Sequence, residues 1–197
     1  MQEAASFINT ISFNWNLLES IAVLFSLAYV ILAAYENILC WTASLISVII
    51  YTYICYTSML LGETYLQIFY LFMTFYGFLK WNSKEDYNIK TWNEKKHLIT
   101  ILIGSIFTFF LGYFLSEYTN SEMPIVDSFT TVFSIIATYL VVKKILGNWL
   151  YWIVIDVTSI YLYYNRDLHL TCLLFLLYAI IATIGYANWT KKINANV

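Results

Sequence analysis

Charge is what this chain lacks. Only 11% of its residues are Asp, Glu, Lys or Arg, against about 25% in soluble domains, and it holds a single proline. A water-surrounded globule is excluded. Cysteine is equally sparse: Cys40, Cys55 and Cys172 fall in three different apolar segments without CxxC spacing, so neither a metal site nor a disulfide is indicated. His97 and His169 sit at segment edges, outside any HExxH pattern, and read as interface residues. No nucleotide-binding motif and no paired nucleophile and base are present, which argues against an enzyme and implies no cofactor. The formal net charge of -2 carries no message about partners, and nucleic-acid binding is not indicated.

What is there is hydrophobic surface. With 61% hydrophobic residues and a mean hydropathy of +0.69, the chain reads as an all-α integral membrane protein with the lipid bilayer as its surroundings. Seven mostly apolar runs, at about 17–35, 38–60, 64–81, 97–117, 125–143, 148–164 and 168–188, are each long enough as a helix to cross a hydrocarbon core of about 30 Å. Met1 to Thr10 lacks the positive start of a secretory signal, so the first span is expected to be retained, with residues 1–16 as an interfacial segment. Lys80, Lys84, Lys90, Lys95, Lys96, Lys143, Lys144, Lys191 and Lys192 all follow odd-numbered spans and share one side, whereas Arg166 is alone on the other. The excess of positive charge inside predicts an outer N-terminus and a cytoplasmic C-terminus.

The chain also echoes itself. Tyr70, Gly77 and Trp81 recur as Tyr178, Gly185 and Trp189, and Glu19, Phe25 and Ser26 recur as Asp127, Phe133 and Ser134 at the same offset. Asn37 and Trp41 match Asn148 and Trp152 at a slightly larger offset, which predicts about three extra residues around 143–147 in the second copy. Two three-helix units, 17–81 and 125–189, would then be joined by a loop and linker helix over 82–124 and followed by a cytoplasmic tail, 190–197. Because one span separates them, each repeated helix keeps its direction, giving a parallel 3+1+3 repeat like that of the small sugar carriers of the SWEET kind. Self-similarity in an apolar chain marks transporters, whose substrate lies between the repeats.

Polar stripes locate the candidate site, because a polar group facing lipid is costly. In span six, Trp149, Trp152, Asp156, Ser159 and Tyr163 step by three and four residues and share one helical face. Asp156 is the ionisable group at mid-span, with no lysine or arginine at matching depth, so a proton or a bound cation is its expected partner. The neighbouring indoles suit a flat or quaternary-nitrogen cation. Gln67, Tyr70, Thr74, Gly77 and Trp81 repeat the rhythm in span three, where Gln67 can both donate and accept. Glu19 and Asp127 are candidates for the entrance or gate, or alternatively for helix capping.

These residues resemble the family of PnuC-type vitamin transporters. The resemblance rests on Asn37, Trp41 and Ser44 at the start of span two, Gln67 and Tyr70 running into Tyr76, Gly77 and Trp81, the DSFTT stretch from Asp127, and Asn148, Trp149, Trp152 and Asp156 in span six. It implies facilitated diffusion of a small-molecule B-type vitamin across a bacterial inner membrane, a homotrimer with one pathway per protomer, and trapping by cytoplasmic phosphorylation. It places the pocket on Gln67, Tyr70, Trp149, Trp152 and Asp156; Trp41 joins Glu19 and Asp127 as a candidate for the entrance or gate. The nicotinamide riboside members of the family carry asparagine where this chain has Asp156. A carboxylate only accepts hydrogen bonds, so Asp156 favours thiamin, with nicotinamide riboside as the alternative. A vitamin-binding subunit of an ATP-driven importer is the more distant alternative.

Overall fold

The computed structural model describes residues 2–83, 88–119 and 121–195, with side chains from residue 17 onward except 61 and 170. Each expected span is a helix: α1 (Gln2–Ala34), α2 (Leu39–Thr57), α3 (Leu61–Trp81), α4 (Glu94–Tyr118), α5 (Pro124–Val142), α6 (Asn148–Tyr164) and α7 (His169–Ala195). The backbone of α1 is continuous from Gln2, so residues 2–16 form its first turns, and α7 carries helix on to Ala195. Five of the seven, all but α3 and α6, are long and apolar enough to cross a membrane by length and composition. The two exceptions are the helices that bear the polar stripes, and α6 has only 17 residues.

Local chemistry sets the helix ends. Asn93 caps α4 by accepting the Lys96 amide at 3.1 Å, Pro124 opens α5 where its missing N–H costs nothing, and Asn37 accepts the Leu39 amide at 2.9 Å ahead of α2. The turns between α1 and α2 and between α5 and α6 place Glu36 (φ 60°) and Lys144 (φ 51°) in left-handed backbone; the turns before α3 and α7 do the same to Met59 (φ 60°) and Asp167 (φ 57°). A side chain in that region costs about 1–2 kcal/mol, so these positions are fixed by the turn and not by preference of the residue.

Both pairs are 108 residues apart, the separation of Glu36 and Lys144. Backbone bonding repeats at that spacing: Asn37 N–H to Leu32 C=O matches Ile145 to Leu140, both 2.9 Å, and Cys40 to Asn37 matches Asn148 to Ile145, both 3.0 Å. The three extra residues expected around 143–147 are therefore not there. Trp41 corresponds to Trp149, whereas the sequence match had taken Trp152, the second indole one turn further along α6. Packing agrees, for Trp41 lies across Gly77 as Trp149 lies across Gly185.

The helices form a ring in the order α1, α2, α3, α5, α6, α7 and back to α1, and α4 lies outside it against α5. Two seams, α1 with α7 and α3 with α5, join the first three helices to the last three. The loop before α4 crosses the α5–α6 turn, where Lys90 N–H bonds Lys144 C=O and Leu146 N–H bonds Lys90 C=O, both at 2.8 Å. One apolar core, around Trp41, Trp81, Trp149 and Trp189, fills the lysine-rich end of the ring; a second, around Phe133, Leu140, Tyr151 and Ile155, packs α5 and α6.

Candidate functional site

Asp156 is the chemical centre of the ring. Its side chain is 2% exposed, and no hydrogen bond or ion pair reaches its carboxylate among the described residues. Leaving a carboxylate buried and unpaired costs several kcal/mol, which a ligand or a proton must offset. Ser159, one turn along the same face, is also buried. Tyr178 of α7 lies within electrostatic reach of Asp156.

Tyr178 ties this centre to the far seam. Its hydroxyl and that of Ser26 on α1 meet at 2.5 Å, and the Ser26 hydroxyl also donates to Val23 C=O at 2.8 Å. At the opposite seam Tyr70 of α3 interacts with Ser134 of α5, the pair found by adding or subtracting 108. Tyr29 of α1 lies within electrostatic reach of Tyr70, and Tyr51 of α2 within that of Tyr178 and Tyr163. Two groups result: Ser26, Tyr51, Asp156 and Tyr178, contributed by α1, α2, α6 and α7, and Tyr70 with Ser134 at the seam of α3 and α5. Hydroxyls of this kind can hydrogen-bond a sugar or alcohol, and Asp156 offers an anion to a cation.

The stripes expected from sequence divide on inspection. Trp149 and Asp156 are buried on the inner face of α6, and among the described residues the Trp149 indole N–H has no partner. Trp152 packs against both apolar cores. Tyr163 stacks on Phe175 at 5.2 Å toward the Arg166 end. Gln67 and Tyr70 are half-buried on α3, whereas Thr74 is committed elsewhere, bonded at 2.7 Å to Ser44 of α2. That bond holds α2 to α3 and takes up the Thr74 hydroxyl. Glu19 lies exposed more than four turns into α1, so it does not cap that helix. Asp127 does sit in the first turn of α5, where it accepts from Ser121 at 2.5 Å and from Arg166 at 2.8 and 3.0 Å.

Trp41 belongs to the lysine-rich end of the ring. There Trp41, Trp81, Trp189 and Trp149 form a continuous row, with ring centroids 5.3, 6.2 and 5.4 Å apart and the outer two contacts edge-on. Trp81 donates to Val142 C=O at 3.2 Å and Trp189 to Ala33 C=O at 3.1 Å, each across a seam. Glu36 accepts from Lys144 at 2.5 Å and from Lys192 at 2.8 Å just beyond the row. Burial raises the Glu36 carboxyl, but the bonds from Lys144 and Lys192 outweigh it and hold the group below its ordinary value.

Sequence reasoning passed over Tyr178, Tyr51 and Tyr29 as site residues. For Tyr178 the signal was present, since it is the repeat partner of Tyr70. Nothing distinguished Tyr51 and Tyr29 from the other phenols of a chain with 18 tyrosines.

The sequence profile described as "Nicotinamide mononucleotide transporter" matches residues 16–191. The chain belongs to that family of membrane transporters. It is 28% identical over 192 residues to the "Nicotinamide riboside transporter PnuC" of Neisseria mucosa, covering 89% of this chain and 73% of that protein. The protein of the same name from Escherichia coli is 24% identical over 204 residues, covering 89% and 85%. A crystal structure described as the vitamin B3 transporter PnuC superposes with a TM-score of 0.76 at 25% identity, over 96% of this chain and 88% of that one. Membership makes this a multi-pass membrane transporter.

Proposed function

We propose that the protein carries nicotinamide riboside across a bacterial inner membrane by facilitated diffusion. The observation that carries this reading is the unpartnered Asp156 carboxylate inside a ring lined by hydroxyls and indoles. A pyridinium ring supplies the positive charge and the flat face, and a ribose supplies hydroxyls for Tyr70, Tyr178, Ser26 and Ser134. The curated relatives named for riboside transport support the same choice. A nucleotide fits worse, because its phosphate needs cations, and Arg166 is already paired with Asp127.

Transport proceeds in this reading by rocking two parallel three-helix units, 17–81 and 125–189, about the seams, with 82–124 as loop and linker. The constant 108-residue offset of turns, glycines and tryptophans supports the 3+1+3 arrangement. The lysine excess supports a cytoplasmic C-terminus. Cytoplasmic phosphorylation would trap the product, and a homotrimer follows from the family resemblance, to be tested by the mass of the solubilised particle.

Thiamin is a second reading, favoured by Asp156 itself: a carboxylate accepts both hydrogens of an amino-pyrimidine, while a carboxamide offers an acceptor that it cannot satisfy. Calorimetry with nicotinamide riboside, thiamin and riboflavin on purified protein decides between them. Uptake into liposomes without ATP tests the carrier reading, and a strict need for ATP would make the chain a binding subunit instead.

A further inference from the structure

Three features mark the lysine-rich end: an ion cluster and a pair of strained turns outside the substrate site, and a row of indoles that runs from them to Trp149. They occur together. Glu36 and Lys144 occupy equivalent places in the two turns, share the left-handed backbone, and carry opposite charges that meet at 2.5 Å. Lys192, near the end of α7, adds a second cation at 2.8 Å to the other oxygen of Glu36 and donates to Tyr35 C=O at 3.1 Å. The first turn belongs to one three-helix unit, and both lysines to the other.

Directly inside lies the tryptophan row. Its two middle members, Trp81 and Trp189, stand 6.2 Å apart across the ring, and each is bonded to a backbone carbonyl of the opposite unit. Lys144 also sits 4.8 Å over the Trp81 ring, which couples the ion cluster to the row by a cation–π contact. Parting the two turns would break the ion cluster, the cation–π contact and both indole bonds together.

The opposite end is built differently. Asp127 and Arg166 are both in the second unit, so their ion pair does not hold the two units together. Among the described residues, the ion pairs that bridge the units are those of Glu36.

We propose that the Glu36–Lys144–Lys192 cluster and the row Trp41, Trp81, Trp189 and Trp149 form the gate that seals the lysine-rich end of the pathway. This rests on the carrier reading above. The two turns diverged to opposite charge, so that each unit holds the other shut at its own equivalent position. The salt bridge acts as the bolt, and the indoles fill the space behind it. A half-buried, multiply bonded carboxylate is suited to the task, since its pairing is stronger than that of an exposed pair yet is rehydrated when the turns separate.

The chain carries its own reporter. Cys40 is fully buried in the first turn of α2, inside the indole core and within electrostatic reach of Lys144, whereas Cys55 and Cys172 lie at the other end. The experiment measures the rate at which a membrane-impermeant maleimide labels Cys40 in inverted vesicles, with Cys55→Ser and Cys172→Ser as background. Glu36→Gln and Lys144→Gln should each speed labelling by about tenfold or more, Lys192→Gln by less, and the charge-exchanged pair Glu36→Lys with Lys144→Glu should return it toward the parent rate. Equal rates in parent and single variants, or no slowing in the exchanged pair, would overturn the gate. The exchanged pair separates loss of the bolt from misfolding. Because no vitamin is present, failure of the substrate reading leaves this measurement untouched.

Discussion

Trp149 lies against Gly185 so closely that a Cβ there would come 2.7 Å from the indole ring. Gly77 stands in the same relation to Trp41. A methyl group cannot enter without pushing an indole out of the row or a helix out of the ring, at a cost of about 1–3 kcal/mol for overpacking. Gly185→Ala and Gly77→Ala should lower the melting temperature in detergent. Gly62→Ala, where nothing lies within 4 Å, should leave it unchanged or slightly raised.

Asp156→Asn tests the centre of the site. Removing the buried anion should weaken both cations, thiamin by about tenfold or more, equivalent to about 1.4 kcal/mol, and nicotinamide riboside by less, because its carboxamide can bond the new side-chain amide. Calorimetry on the purified variant reads both. Unchanged binding of every cationic vitamin would remove Asp156 from the pocket.

The seam hydroxyls should matter in matched pairs. Tyr178→Phe loses the bond to Ser26, and Tyr70→Phe loses its counterpart to Ser134, each worth about 0.5–1.5 kcal/mol. We expect both to reduce riboside uptake into liposomes, and Tyr178→Phe the more, because Tyr178 also lies within electrostatic reach of Asp156.

Acid should reach the Glu36 cluster late. Its carboxyl is held below the ordinary value of 4.5, so its contribution is fully present above that value and is lost only as pH falls through the lowered one. Thermal stability should therefore show no loss traceable to Glu36 between pH 5 and pH 8, with parent and Glu36→Gln differing by a constant amount. The difference should shrink only below about pH 4.5.

The seven helices were legible because hydropathy and length govern insertion, and the α3 and α6 stripes because a polar residue cannot face lipid at no cost. What Thr74 bonds is something spacing cannot show: its hydroxyl meets that of Ser44 on a different helix. The register of the second copy went astray because Trp149 and Trp152 are both tryptophans, and only the turn hydrogen bonds tell which one answers Trp41. Lys144 and Arg166 were read purely as topology markers, whereas each also closes an ion pair whose partner is remote in sequence.

α4 has no counterpart on the other side of the ring. It packs on α5, its His97 reaches the Tyr151 hydroxyl of α6 at 3.2 Å, and the strand of loop before it is stitched to the α5–α6 turn. The last three helices therefore carry an attached helix that the first three lack. In the rocking proposed above, a three-helix arm, α1–α3, would move against a four-helix one, α4–α7.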